Sequence, residues 1–512
     1  MKIAGIWNGH DCSFCILENG YPTIHAELER YTREKEPPGD SYKFFKELQK
    51  TDNDIDHWIT CEETHLITEG NEKYKIPPCK DFKHEFYAVG HHQAHAANAF
   101  FSSNLKESLI ITIDGGGMEQ NQWTATTIWK GLDNKIHPGK IVPKEQLNIG
   151  NLWTRVTQQI FGLSAGYPYG HSAGTVMATT CLGNKDTYLE EFSKNPYYFC
   201  DTWNQRQEKD DDQAKYDVAA ALQYWTEQQI KQLIGDALKW YPSKNLCLAG
   251  GVVLNCVMTT KIYDWFDFEN IYVTPTPHDG GLTIGAAQYL WHHELDNPRI
   301  EWRDNFTPYL GQNHSKSSLD SALDKFSDKI EINETTDEEV LDLLFNQNII
   351  SVFGGCSESG RRALGNRSIL ADPRSDKMKD LINKKVKHRQ WFRPFAPSIL
   401  REEVGKWFEK DIDSPYMNFA VPFKKEMKDK VPAVVHLDGT GRIQTVTEND
   451  NKWYYNFIKK WFAISGVPIL LNTSFNDREP IVETPEHAIK CFLGTNIDYL
   501  YFREYNMLIK RK

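Results

Sequence analysis

The chain has 512 residues, 40% of them hydrophobic and 25% charged, an ordinary globular composition on a length too great for one core. A net charge of −11 argues against a surface built as a whole for nucleic acid, and no stretch is long and apolar enough to span a membrane. The ten cysteines are scattered and many lie in apolar runs, and the opening MKIAGIWNGHDCSF lacks the apolar core of a leader, so a reducing, cytoplasmic setting is expected.

Residues 2–7 read as a strand, Asn8 to Asp11 as a polar turn that points His10 and Asp11 outward, and 12–17 as a second strand closed by the hairpin pair Asn19-Gly20. Cys12 and Cys15 form a C-x-x-C with no second pair to complete a zinc knuckle, so they read as structural. Residues 40–60 look helical, then extended. From 91 to 101 the run HHQAHAANAFF has no Gly or Pro and reads as a helix that stops at Ser102-Ser103-Asn104. His91 and His95 then lie one turn apart on one face. Leu109 to Ile113 is a buried strand expected to end on Asp114, where an acid beside a His-x-x-x-His helix completes a metal site. The alternative is a set of hydrogen-bonded structural histidines. Gly115-Gly116-Gly117 reads as a turn whose N–H groups approach a phosphate.

Trp123 to Trp129 is extended, 162–183 is rich in loops, and Lys215 to Trp240 is a long amphipathic helix. Leu246 to Ala249 is a short strand that turns at Gly250-Gly251 into a helix near Val252. Ile271 to Val273 is another strand, which runs through Thr274 to Gly281 into a small-residue helix near Leu282. Asp279 stands at this last strand end, either as a helix N-cap or as a fourth metal ligand. Ligands of α/β proteins gather at strand ends of this kind.

Residues 312–345 read as a polar linker with one or two helices, with a capping box over Thr336–Glu339. Between Arg361 and Arg393 eleven Lys and Arg face only Asp372, Asp376 and Asp380. They are interleaved with apolar residues, so some are partly buried and call for an anion, whose geometry phosphate meets. Arg442 sits on a Gly-rich turn, Leu470 to Asn476 is a strand leaving into a polar turn, Thr484-Pro485 caps a last helix, and Ile497 to Phe502 is the last strand.

Nine segments in order carry a resemblance over nearly the whole chain: GHDCS (9–13), HHQAHAANAF (91–100), IDGGG (113–117), LAGGVVLNC (248–256), PTPHDGGLTIGAA (275–287), SGRRALGNRSILADPR (359–374), NKKVKHRQWFRPFAPS (383–398), HLDGTGRIQTV (436–446) and LLNTSFNDREPIV (470–482). Together they resemble the nodulation and antibiotic O-carbamoyltransferase family, of which tobramycin carbamoyltransferase is a structurally known type. The resemblance implies an α/β protein. Residues 1–311 would form an actin/Hsp70-like (Kae1-like) domain, 312–345 a linker, and 346–512 a YrdC-like domain. It implies that carbamoyl phosphate and ATP give carbamoyl-adenylate in the second domain, and that the carbamoyl group passes to an acceptor hydroxyl at an iron site in the first. His91, His95, Asp114 and Asp279 match the metal ligands, and His10 a residue near the transfer centre. Arg362, Lys387, Arg393, Arg442, Asn472 and Ser474 match the carbamoyl-adenylate site, while Gly115, Gly116, Gly250, Gly251 and Asn255 fall on phosphate and nucleoside turns. One departure stands out: where the family reads Glu-Gly-Lys before Val-Met, this chain has Ala173-Gly174-Thr175.

The chemistry is coherent with these residues. Carbamate is a poor electrophile, adenylation gives it a leaving group, and the phosphates need countercharge. Two histidines and two aspartates suit Fe²⁺ and equally Mn²⁺ or Zn²⁺, and His10 is the candidate general base with Asp11 as its orienter. Activated carbamoyl groups hydrolyse readily, so an enclosed transfer passage is expected. The expected partner is a hydroxylated small molecule; a modified nucleotide or DNA is a weaker candidate at this charge, a homodimer is the base-rate expectation, and no membrane is involved. The alternatives are threonylcarbamoyl-type modification of tRNA and a non-catalytic actin-like nucleotide-binding module.

Overall fold

The Lys2–Trp7 strand is apolar on both faces, which places it at the centre of a sheet. In the computed structural model, which describes residues 1–61, 66–69 and 72–512, that sheet has five strands. Their order is Tyr21–Glu27, Ser13–Glu18, Lys2–Trp7, His57–Cys61, Phe86–Val89; the first three are antiparallel neighbours and the last two join in parallel. Asn19 and Gly20 both take positive φ, 49° and 88°, as a two-residue primed hairpin turn requires.

A second five-stranded sheet repeats this plan. Its order is Lys135–Pro143, Gln122–Leu132, Glu107–Glu119, Asn245–Ala249, Asn270–Val273, again two antiparallel joins followed by two parallel ones. In each sheet a helix follows the fifth strand: His91–Phe101 in the first, Leu282–Tyr289 in the second. The two helices pack through small residues, and Ala94, Ala97, Leu282 and Ala286 share one buried core. At the closest crossing, a Cβ on Gly285 would stand 1.9 Å from the Ala94 carbonyl oxygen. Both sheets and both helices belong to one unit, Met1–Trp302.

The strand expected to end at Asp114 runs on as Glu107–Glu119. Its ladder with Gln122–Leu132 jumps from Ile113 opposite Thr126 to Gly117 opposite Thr124. Asp114, Gly115 and Gly116 therefore bulge out of the sheet, with Gly116 at φ 144°. Gly115 and Gly116 thus lie in a bulge inside a ladder, which Gly117 rejoins, rather than in a turn beyond its end.

The second unit, Arg303–Lys512, holds a nine-stranded mixed sheet. Its order is Ile330–Glu334, Met507–Arg511, Tyr499–Phe502, Ile350–Phe353, Arg367–Ala371, Ile469–Ser474, Ala396–Leu400, Thr440–Val446, Phe419–Pro422. The Lys452–Ser465 helix lays Tyr454, Phe457, Ile458 and Trp461 on Ile350, Val352, Leu370 and Leu470. Two expectations change here. Residues 312–345 are part of this unit: they supply the helices Lys316–Lys325 and Asp337–Phe345 and the edge strand Ile330–Glu334. That strand is short and its edge position buries Ile330 but leaves Ile332 exposed, so its polar residues read as linker. Tyr499–Phe502 is not the last strand; the chain turns at Asn506 and returns as Met507–Arg511. The capping box at Thr336 forms as its sequence predicts, and Thr484 caps its helix as expected, with His487 closing a second box not expected from the sequence.

Candidate functional site

The duplicated plan of the first unit brings four side chains together. His91 opens its helix directly after the fifth strand of the first sheet, and His95 follows one turn on. Asp114 comes from the bulge in the central strand of the second sheet, and Asp279 from the segment after that sheet's fifth strand. His95 Nε2 lies 3.0 Å from Asp114 Oδ2 and 3.3 Å from Asp279 Oδ1, and His91 Nε2 lies 3.5 and 3.6 Å from the same two oxygens. One donor atom from each of the four falls within 4.8 Å of all the others.

The structural-histidine alternative describes the third histidine fully. His92 is hydrogen-bonded at both ring nitrogens, to Thr112 Oγ1 at 2.6 Å and the Thr124 carbonyl at 3.0 Å. Burial lowers its pKa to about 3, so it is a neutral core residue. His91 and His95 are as deeply buried; among the described residues their Nδ1 atoms have no hydrogen-bond partner, and their Nε2 atoms face the two aspartates. Two imidazoles and two carboxylates converging in a buried space make a donor set for a divalent cation.

The charges respond to this crowding. Burial works against a charge on His95, but the hydrogen bonds and charges of Asp114 and Asp279 outweigh it and hold its pKa up at about 9. Burial likewise opposes ionisation of Asp114, and the two histidines overcome it and hold that carboxyl well below its usual range. His10 stands at the edge of the cluster, with Nε2 3.1 Å from Asp279 Oδ2 and Nδ1 3.2 Å from Asp11 Oδ2. The Asp279 charge above all, set against burial and reinforced by Asp11, raises its pKa to about 10. Beside bare carboxylates His10 is therefore an imidazolium; it becomes a base only when Asp279 is neutralised by another charge.

The glycines are placed as spacers around these ligands. Gly250 takes φ 95° and packs on the Ile113 carbonyl, while a Cβ on Gly251 would stand 3.2 Å from Asp114 Oδ1. Gly115 is exposed with open space before it, and Gly116 lies under the Trp123 indole. Asn255 is buried and caps the Cys256–Trp265 helix through Met258 N–H, with its amide donating to Gln223. Cys12 and Cys15 are buried free thiols, as their sequence context predicts; burial raises the Cys12 pKa to about 12 and the Cys15 pKa higher.

In the second unit the predicted basic residues divide by role. Arg367 is fully buried, lies 3.6 Å over the Phe353 ring and donates to the carbonyls of Gly354, Gly355 and Asn366, so it is part of the core. Arg374 forks onto Asp372. Lys387 is buried and spends its ammonium on the Ser474 carbonyl (2.5 Å), the Asn476 carbonyl (2.8 Å) and Asn476 Oδ1 (2.7 Å). Burial first, then Arg389, presses its pKa well below normal. Arg389, absent from the predicted site, stacks 4.6 Å over Phe395, and its charge is disfavoured by burial and by Arg393 and Arg442. Burial and Arg442 together lower the pKa of Arg393 to about 10. Lys387, Arg389, Arg393 and Arg442 thus form a cluster in which each neighbouring cation adds to the cost of charge. Asn472 is buried and ties three neighbours through its amide, donating to the Ala363 carbonyl, Ser398 and Gln444. Arg362 is half-buried one residue from that Ala363 carbonyl, and Ser474 is half-buried beside Lys387.

Imidazoles and carboxylates thus cluster in the first unit and cations in the second. Comparison with known proteins gives the family. The family model "Carbamoyltransferase N-terminus" matches residues 198–288 and "Carbamoyltransferase C-terminus" matches residues 341–510. An uncharacterized protein of Methanocaldococcus jannaschii is 34% identical over 486 residues, 86% of this chain and 77% of its own. Nodulation protein NolO of Bradyrhizobium diazoefficiens is 34% identical over 439 residues, 80% of this chain and 77% of its own. The chain belongs to the carbamoyltransferase family, as its motifs imply, and it is a carbamoyltransferase; the non-catalytic alternative falls. A solved structure of full-length HypF in its phosphate- and nucleotide-bound form overlaps 58% of this chain and 47% of its own at 12% identity and TM-score 0.35, too shallow a likeness to add to this.

Proposed function

We propose that the chain is an ATP-dependent O-carbamoyltransferase whose two units divide the reaction. In the second unit carbamoyl phosphate releases phosphate to water, and the resulting carbamate oxygen displaces pyrophosphate from the α-phosphorus of ATP to give carbamoyl-adenylate. Arg393 and Arg442, with Arg362 and Arg389, would neutralise the phosphates, while Lys387 holds the Ser474–Asn476 turn in place. The YrdC-like reading of this unit is part of the same proposal. In the first unit the acceptor hydroxyl attacks the carbamoyl carbon and AMP leaves.

His91, His95, Asp114 and Asp279 would hold a divalent cation; the family resemblance favours Fe²⁺, and the donor set also suits Mn²⁺ or Zn²⁺. Such an ion, when bound, supplies Lewis acidity toward the carbonyl or the hydroxyl. His10, relieved of the Asp279 charge, takes the hydroxyl proton with Asp11 orienting its Nδ1. Gly115, Gly116, Gly250 and Gly251 leave backbone room beside Asp114 for the nucleotide. The repeated five-stranded plan supports the actin/Hsp70-like (Kae1-like) reading of this unit. The acceptor is a hydroxylated small molecule; a net charge of −11 disfavours DNA and tRNA.

The observation that carries the proposal is the convergence of two buried imidazoles, without other polar partners among the described residues, on two aspartates in a member of this family. The test is to supply carbamoyl phosphate and ATP and to follow the nucleotide. Pyrophosphate release, with AMP appearing on addition of an acceptor, is the expected result. ADP as the sole nucleotide product would refute it.

A further inference from the structure

The His91–Phe101 helix begins without a side chain to cap it: its N-cap is Gly90. The first N–H groups of a helix need acceptors, and a buried end without them is costly. One acceptor arrives from another element. Glu119, at the end of the strand that carries Asp114, is buried, and its Oε2 accepts the Gln93 N–H at 2.8 Å. The carboxylate lies directly over Gly90, where a Cβ would stand 2.3 Å from Oε1 and 2.4 Å from Oε2. Gly90 is therefore bare to admit Glu119, and the charge sits at the positive end of the helix. The same strand also touches the first histidine: a Cβ on Gly117 would stand 2.1 Å from His91 Cγ, and Trp7 closes the other side edge-on at 5.8 Å. One strand thus supplies a ligand at 114, the surface under an imidazole at 117 and the helix cap at 119.

The geometry points to Glu119 as a positioning residue of the cation site. It stands in for the missing N-cap, and by fixing the first turn of the ligand-bearing helix it sets where His91 and His95 meet Asp114 and Asp279. This rests on the cation reading given above.

The test is titration of the full chain with Mn²⁺ alone, beside thermal unfolding of each variant. Glu119→Gln keeps the size and one acceptor but loses the charge, and it should fold and bind Mn²⁺ about tenfold more weakly. Glu119→Asp withdraws the carboxylate by one methylene and should weaken binding at least as much. Parental Mn²⁺ affinity in both folded variants overturns the inference, as does a fall in melting temperature with unchanged affinity. His91→Ala separates the two ideas. If it abolishes Mn²⁺ binding while the Glu119 variants bind as the parent does, Glu119 has no such role. If His91→Ala itself binds as the parent does, the cation site is wrong and the inference falls with it.

Discussion

Lys387 and Arg393 lie in one cationic cluster and should respond to mutation in opposite ways. Lys387 is committed to acceptors on the Ser474–Asn476 turn, so Lys387→Met leaves buried carbonyls unpaired and should cost about 3 kcal/mol in denaturant unfolding. Arg393 is half-buried and its charge is opposed by burial and by Arg442, so Arg393→Ala should keep or raise the melting temperature. Its loss should instead raise the KM for carbamoyl phosphate by about tenfold or more, the worth of a charge-assisted contact. A different signature belongs to His292, where burial first and Arg299 second lower the pKa to about 4. The folded state then binds fewer protons than the unfolded chain, so stability falls as pH drops from about 6.5 toward 4, by about 3 kcal/mol in all. Comparing unfolding of the parent and His292→Gln at both ends of that window should show the gap closing on the acid side. At this scale the four converging residues were legible because histidine spacing and an acid following an apolar run are local signals, although the strand that carries Asp114 does not end there. Glu119 and Arg389 were not, since a cap lent by a distant strand and a stack on Phe395 leave no trace in spacing.

Elements were legible where one period governs them. The helix read over 91–101 forms as His91–Phe101, and the one read over 215–240 starts three residues earlier, at Asp212. The Asp114 bulge was hidden because a run of glycines reads as a turn, and only the partner strand shows that the ladder resumes at Gly117. The Ile330–Glu334 edge strand was hidden for another reason: its two isoleucines alternate over too few residues in a polar stretch, and Ile332 stays exposed. The packing of His91–Phe101 on Leu282–Tyr289 yields a sharper expectation. Gly285→Ala places a methyl against the Ala94 carbonyl and should destabilise the first unit by about 1–3 kcal/mol, read as a lower denaturant midpoint. Ala94 lies one residue before His95, so Mn²⁺ affinity should fall in the same variant.

For the molecule as a whole, the division into Met1–Trp302 and Arg303–Lys512 separates imidazole–carboxylate chemistry from the cationic cluster. Within the first unit the two five-stranded halves contribute to the centre by equivalent routes. The central strand of each half leads to one residue, His10 or Asp114, and the fifth strand of each leads to the others, His91 and His95 or Asp279. Imidazoles thus come from one lobe and carboxylates from its twin. An ion seated there would act as a clasp: neither lobe holds a full set of donors, so fastening it ties the halves together. Saturation at about a hundredfold over the dissociation constant would then add about 2.7 kcal/mol against melting. His95→Ala should melt at one temperature whatever the Mn²⁺ concentration.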